Sequence, residues 1–204
     1  MEEFTMQVAA AMEQRGFEVR LAESAEEACQ TVLSLIAPGQ SVGVGGSMTI
    51  RELGVIDALS ARGCPVYWHW SSPAEREATL EKARTADVYL ASSNAVTKSG
   101  QIVNIDGSAN RVAGMIQGPK TVVLVIGQQK LVDGGLNAAI ARIKQQACPA
   151  NARRLGLDTP CARTGLCSPL ECGDDCMCRV TTMLEHPTRG RRVIVVLVGE
   201  TIGY

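Results

Sequence analysis

The sequence predicts an α/β protein, a mostly parallel sheet with helices on both faces, interrupted near its end by a cysteine-rich insertion. Three observations carry this reading. Helix-period and strand-period segments alternate almost throughout the 204 residues. The strands read as short, continuous apolar runs, the pattern of strands buried on both faces. Periodicity lapses only at about 158–190, where cysteine, proline, glycine and charge replace apolar residues. The length suits one substantial core, so 1–204 reads as a single domain.

The elements follow in order. A first helix over about 2–14 puts Phe4, Val8, Ala11 and Met12 on one face, and a strand follows at Phe17–Leu21. Ser24 and Glu27 have capping-box spacing and open a helix that Pro38 and Gly39 end. Strand Ser41–Val44 runs into a glycine turn and a helix to about Arg62; strand Pro65–Trp68 comes next. Ser72, Pro73 and Glu75 start a helix to Thr85. Strands at Asp87–Ala91 and Gln101–Ile105 join the sheet, a short helix at Ser108–Gln117 precedes strand Thr121–Ile126, and Leu136 to Ala147 form an amphipathic helix. Val193–Val198 is the last buried strand, with the insertion at 158–180 lying before it.

Twenty Lys plus Arg against twenty-one Asp plus Glu give a net charge of −1, without the basic excess of a nucleic-acid binder. The one dense basic run, Arg189, Arg191 and Arg192, reads as a solvated turn. The longest apolar run, VIVVLVG, is too short to span a bilayer, and the acidic, amphipathic N-terminus has no signal-peptide form. A cytoplasmic protein is therefore expected, in a reducing compartment where eight cysteines are a poor disulfide framework.

Five of those cysteines, Cys161, Cys167, Cys172, Cys176 and Cys178, are spaced C-x5-C-x4-C-x3-C-x1-C. A loop so poor in large apolar residues cannot offset its ordering entropy by burial, whereas metal ligation by thiolates would couple binding to folding. Four thiolates suit a structural zinc or a [4Fe–4S] cluster. Zinc loops usually carry C-x2-C knuckles, which are absent here, and the wide spacing favours a bulkier iron–sulfur cluster. Cys29, Cys64 and Cys148 read as packing residues.

Two polar segments are candidate ligand sites for a small anion. In VGVGGSMTIRELG, Gly46 allows close approach, while Ser47, Thr49 and the helix-start amides can hold a phosphate or carboxylate. Thr49 and Glu52 also fit a capping box, which explains both without a substrate. In SSNAVTKSGQIVNIDGSANRVAG, Asn94 and Thr97 follow the carboxyl end of a buried strand, where open α/β sheets bind ligands. Asn110 and Arg111 stand near a helix start, where a cation is misplaced for the dipole and anion binding is the alternative. Asn and Asp are also turn formers, the competing explanation for much of this segment. Glu52 and Asp106 are the carboxyl groups placed to move protons. His69 and His186 read as strand-end and loop residues rather than catalytic or metal-binding ones.

Taken together, GVGGSMTIRELG at 43–54, the run from Ser93 to Val132, PANARRLG at 149–156, TPCARTGLC at 159–167 and VIVVLVGETIGY at the end resemble the LUD-domain family, the lactate-utilisation proteins. The resemblance implies a fold similar to the ribose-5-phosphate isomerase, glucosamine-6-phosphate deaminase and CoA-transferase group, with ligands at loops matching the GGS turn and the Asn94–Arg111 region. It also implies an iron–sulfur protein of small hydroxy-acid metabolism. Against the relatives' pattern TPC-x-x-TG-x-C-x-x-C, the third interval here is longer. Cys161, Cys167 and Cys172 map directly, and Cys178 matches the last position better than Cys176.

Three functions follow. The first is an oxidoreductase component passing electrons through a four-thiolate cluster to a partner protein. The second is an isomerase, dehydratase or lyase whose open iron acts as a Lewis acid on a hydroxy acid or phosphorylated sugar-like anion. The third is a structural zinc site in a binding or regulatory module. The apolar N-terminal helix and the insertion are the natural contacts of a homodimer.

Overall fold

The computed structural model describes residues 1–204. Six strands form a wholly parallel sheet: β1 (Glu18–Ala22), β2 (Val42–Val44), β3 (Val66–Trp68), β4 (Val88–Ala91), β7 (Thr121–Gly127) and β10 (Arg192–Val198). Their spatial order is β1-β10-β7-β4-β2-β3. The central β7 shows why these runs are continuously apolar. Val122, Leu124 and Ile126 enter one core cluster, and Val123 and Val125 enter the other. A strand sandwiched between two helical layers needs an apolar side chain at every position.

One layer contains α1 (Glu3–Gln14), α5 (Arg76–Arg84) and α6 (Asn110–Gln117), which contribute Val8 and Met12, Ala83, and Met115. The apolar face of α1 packs on the protein's own core, with Met6 its large exposed apolar residue. The other layer contains α2 (Ala25–Leu35), α3 (Met48–Leu53) and α4 (Val55–Ala61). Ser24 caps α2 by accepting from the Glu27 amide, while the Glu27 carboxylate reaches back to the amide of Glu23, one residue earlier than a capping box requires. The single helix expected up to Arg62 is two, because Gly54 takes φ 70° between α3 and α4.

A second, mixed sheet of four strands was not anticipated. Its order is β8-β5-β6-β9, from β5 (Ala95–Thr97), β6 (Ile102–Asp106), β8 (Leu131–Val132) and β9 (Val180–Leu184). The strand expected at Gln101–Ile105 thus belongs to this sheet and pairs antiparallel with β5 and β9. The cysteine segment ends at β9, so it interrupts the chain before the small sheet is complete rather than directly before β10. A third apolar cluster fastens the small sheet to one long helical run, α7 (Leu136–Arg142), a π-helical turn over Ile143–Ala147, and α8 (Cys148–Leu155). The wide turn gives way to α8 at Cys148, followed by Pro149, whose missing amide hydrogen suits a first helical turn. No helix is long and apolar enough to cross a membrane.

Candidate functional site

A cavity of about 700 Å³ opens where the two sheets meet, at the carboxyl ends of the parallel strands. Its floor comes from the loops after β2 (Gly46, Ser47), β3 (His69, Trp70), β4 (Ser92 to Asn94) and β7 (Lys130). The opposite wall comes from β6 and the π-turn–α8 run, including Ile143, Ala147, Cys148 and Arg154. This is where a doubly wound sheet collects ligand-binding loops, since every parallel strand delivers its following loop to the same edge.

The glycine turn delivers Gly46 and Ser47 to the cavity. Gly46 packs under Trp70, whose ring would lie 3.2 Å from any added Cβ. Ser47, not Thr49, caps α3, its hydroxyl accepting from the Ile50 amide. Thr49 is buried with its side chain toward the cavity floor. Glu52 is not on the cavity at all, and its carboxylate accepts from the Gly203 amide at 2.6 Å. The expected Thr49–Glu52 capping box does not form, because Ser47 already supplies the cap.

The Asn94–Arg111 segment is more structural than its composition implied. Arg111 is buried, and its guanidinium donates to Ser92 O, Asn104 Oδ1, Asn94 Oδ1 and Ile105 O at 2.5–3.1 Å. Its Nε faces Asp106 Oδ2 at 3.5 Å. With both terminal nitrogens of its fork engaged by the protein, Arg111 ties β4, β5 and β6 together, and it does not offer the free fork expected of an anion clamp. Asp106 is committed too, accepting from the Ala109 amide at 2.9 Å. Asn110 lines the cavity with its oxygen taken by Ser108. Thr97 is buried away from the cavity, donating to Gln101 Oε1 at 2.7 Å. His69 is on the cavity wall, its pKa lowered by burial and by the charge of Arg76.

The residue that sequence reasoning missed is Lys130. It is fully buried, and its Nζ donates to Thr49 Oγ1 at 2.7 Å and Ser92 Oγ at 3.1 Å. Burial, reinforced by the charges of Arg142 and Arg111, pushes its pKa down to about 7 against a weaker opposing pull from Glu52. The signal was there to read: a lone lysine three residues beyond the apolar strand ending at Gly127. Besides Lys130, four arginines border the cavity (Arg51, Arg76, Arg111, Arg154) against the single carboxylate of Asp106, so its field favours an anion.

The thiol segment borders the cavity at Met177, next to Cys176 and Cys178, and Cys148 of α8 lines it directly. Cys161 sits at the start of the helix α9 (Pro160–Thr164), its Sγ 3.3 Å from the Thr159 hydroxyl that caps this helix. Cys178, expected to join the other three, has Cys148 as its nearest thiol at 3.4 Å. Cys148, expected to be a packing residue, is buried in the third apolar cluster and also lines the cavity. Hydrogen bonding from Cys148 lowers the Cys178 pKa to about 6, assisted by Lys144, and the same contact with burial raises that of Cys148. Burial and a hydrogen bond with Cys176 push Cys172 up to about 11, and the charges of Cys161 and Cys167 are felt there as well. No three His, Cys, Asp or Glu side chains converge on one point as a mononuclear site requires; Cys148 pairs with Cys178 and Cys172 with Cys176, with Cys161 and Cys167 unpaired.

Comparison with known proteins agrees with this architecture. A DUF162 family protein from Deinococcus radiodurans, known from a crystal structure, is 17% identical with a TM-score of 0.56 over 96% of each chain, a likeness of fold. No curated protein matches the chain. The LUD domain pattern matches residues 5–198, nearly the whole length. A chain with this pattern from its first helix to its last strand belongs to the LUD-domain family, the lactate-utilisation proteins.

Proposed function

We infer that the protein is an iron–sulfur oxidoreductase component of small hydroxy-acid metabolism, binding its anionic substrate in the cavity between the two sheets. One observation carries the reading: Cys148 belongs both to the wall of a cationic cavity and, 3.4 Å from Cys178, to the thiol neighbourhood. A substrate in the cavity and a metal centre in the thiol segment would be neighbours.

The donor set suits a cluster. Thiolates are the ligands that iron–sulfur centres take, and a four-iron cluster spreads them over several metal atoms, so it does not require them to meet at one point. A tetrahedral zinc needs four donors at one point. Cys161, Cys167, Cys172 and Cys178 would hold the cluster, with Cys176 the alternative fourth ligand. When bound, such a cluster exchanges single electrons or, with one iron left open by the protein, acts as a Lewis acid. The second possibility, a non-redox isomerase, dehydratase or lyase, would take Cys161, Cys167 and Cys172 as its three ligands; the pairing of Cys178 with Cys148 favours it only with Cys176 also unligated.

The chain's own groups do the rest. The rim guanidinium of Arg51 would attract the carboxylate, and Trp70 and Ile143 would exclude water around it. The cavity is far larger than a three-carbon acid and has room for a longer or phosphorylated anion. Leu166 and Leu170, exposed at 73% and 101%, give the thiol segment an apolar tip suited to a redox partner protein.

Anaerobic purification tests the reading. Brown protein with iron and sulfide near four per chain is expected, with an electron paramagnetic resonance signal after reduction. A shift of that signal by lactate or a related acid would select the open-iron reading. Colourless protein carrying stoichiometric zinc would sink both iron readings.

A further inference from the structure

We propose that the Lys130 amine is a nucleophile that condenses with the keto group of a 2-oxo acid bound in the cavity. The inference rests on the cavity being a small-carboxylate site and names the chemical class that its deepest group would take.

The hydrogen-bond pattern around Nζ carries the argument. Two hydroxyls touch it, and each has its own hydrogen directed elsewhere, Thr49 to Ile202 O and Ser92 to Ser93 O. With the hydroxyl oxygens 3.4 and 3.3 Å from those carbonyl oxygens, both hydroxyls are set to accept from the amine. A neutral amine has two hydrogens, and these two acceptors use both. What remains is the lone pair, on a group that lines the cavity.

No carboxylate touches the nitrogen. Glu52 is held by the Gly203 amide, and Asp106 faces Arg111 and the Ala109 amide. The other charges it feels, Arg142 and Arg111, are cationic, so its surroundings disfavour the ammonium form. A lysine kept for structure would be expected to have a carboxylate partner, as exposed Lys98 has in Asp133. A lysine kept to bind anions would be better left charged.

The step balances within the cavity. The nitrogen lone pair forms a bond to the keto carbon while the carbon–oxygen π pair moves onto oxygen. Both amine hydrogens end on that oxygen, the carbon–oxygen bond breaks, and water leaves, giving the imine. No oxidant or reductant is consumed. The product places an electron-accepting carbon–nitrogen double bond beside the substrate carboxylate, which labilises the adjacent carbon–hydrogen bond.

The test uses the full-length protein with pyruvate as probe and borohydride as trap, near pH 8. Hydride delivered to the imine carbon makes a stable secondary amine, located by peptide mass mapping. The four other lysines, Lys82, Lys98, Lys120 and Lys144, are the internal control. An ordinary lysine is almost wholly protonated under these conditions, so labelling of Lys130 should exceed theirs by roughly a hundredfold. Labelling should fall as the pH drops below 7 and be absent with lactate, which has no keto group. Lys130→Met should lose the adduct, and circular dichroism shows whether that variant folds. Pyruvate binding is measured separately by calorimetry on the wild type. Binding without a Lys130 adduct, or an adduct spread evenly over the five lysines, would overturn the nucleophile and leave the carboxylate site standing. Absence of binding by both pyruvate and lactate would overturn the carboxylate site and the nucleophile with it.

Discussion

Replacing Arg111 with methionine should destabilise the protein severely, and the size of the loss separates a structural role from a ligand-binding one. The guanidinium satisfies four oxygens drawn from Ser92, Asn94, Asn104 and Ile105 and faces Asp106, whose side chain is only 8% exposed. Methionine keeps most of the volume but strands a buried carboxylate and several acceptors. Breaking a buried ion pair from one side costs about 3–5 kcal/mol. Against a total stability of about 5–15 kcal/mol this is a large share. For a chain of this length each kcal/mol lowers Tm by about 2–4 °C, which puts the expected fall near 10 °C or more. Urea unfolding followed by circular dichroism, with a thermal scan, measures it. Arg111→Lys should fall between, restoring charge but not the planar fork. Arg51→Met, at the exposed rim of the cavity, should stay within about 0.5 kcal/mol of wild type. If Arg111→Met unfolds at the wild-type urea concentration yet no longer binds small anions, the structural assignment is wrong and Arg111 is a ligand group.

Three further outcomes follow from particular contacts. The Lys130 pKa is lowered to about 7, so between there and the unfolded value the unfolded chain binds more protons than the native one, and stability rises with pH. The stability of wild type relative to Lys130→Met should therefore increase from about pH 7 to 10 with a slope approaching 1.4 kcal/mol per unit; a flat difference would mean the amine is not desolvated. Gly114→Ala should cost about 1–3 kcal/mol or more in urea unfolding, because its Cβ would lie 2.2 Å from Tyr89 Cζ in a buried ring; a neutral result would show that α6 can slide. In metal-stripped protein exposed to air, Cys148 and Cys178 should be joined, dioxygen taking the electrons, as read by non-reducing peptide mapping; alkylation of both thiols in full would refute their proximity.

The parallel sheet was legible because burial on both faces leaves a strong mark, and β7 and β10 are apolar at nearly every position. The small sheet was not. β5 and β8 are three and two residues long, too short for a period to register, and β9 alternates half-buried and exposed residues. Gly46, Ser47, Thr49 and Asn94 reached the cavity as read, because a loop after a parallel strand has one place to go. Arg111 reached it too, but its role depends on carbonyl groups at Ser92 and Ile105, and backbone acceptors leave no trace in side-chain identity. Glu52 and Thr97 were drawn elsewhere by partners distant or trivial in sequence, Gly203 and Gln101. Lys130 was overlooked because a single lysine after a strand is ordinary until the fold closes over it.

The π-helical turn at Ile143–Ala147 works as a counter. A regular helix advances 100° per residue, so one residue more or fewer in this turn would rotate all of α8 by about that angle. Cys148 would swing away from Cys178, Asn151 from the Tyr204 hydroxyl, and Arg154 from its place 4.6 Å from the Trp70 ring. Three unrelated contacts on one helix face thus share a single setting, and a one-residue deletion would dismantle them together without touching any of the side chains that make them. Relatives that differ in length here would present a different column of residues to the same cavity, a simple route by which one scaffold could acquire different chemistry.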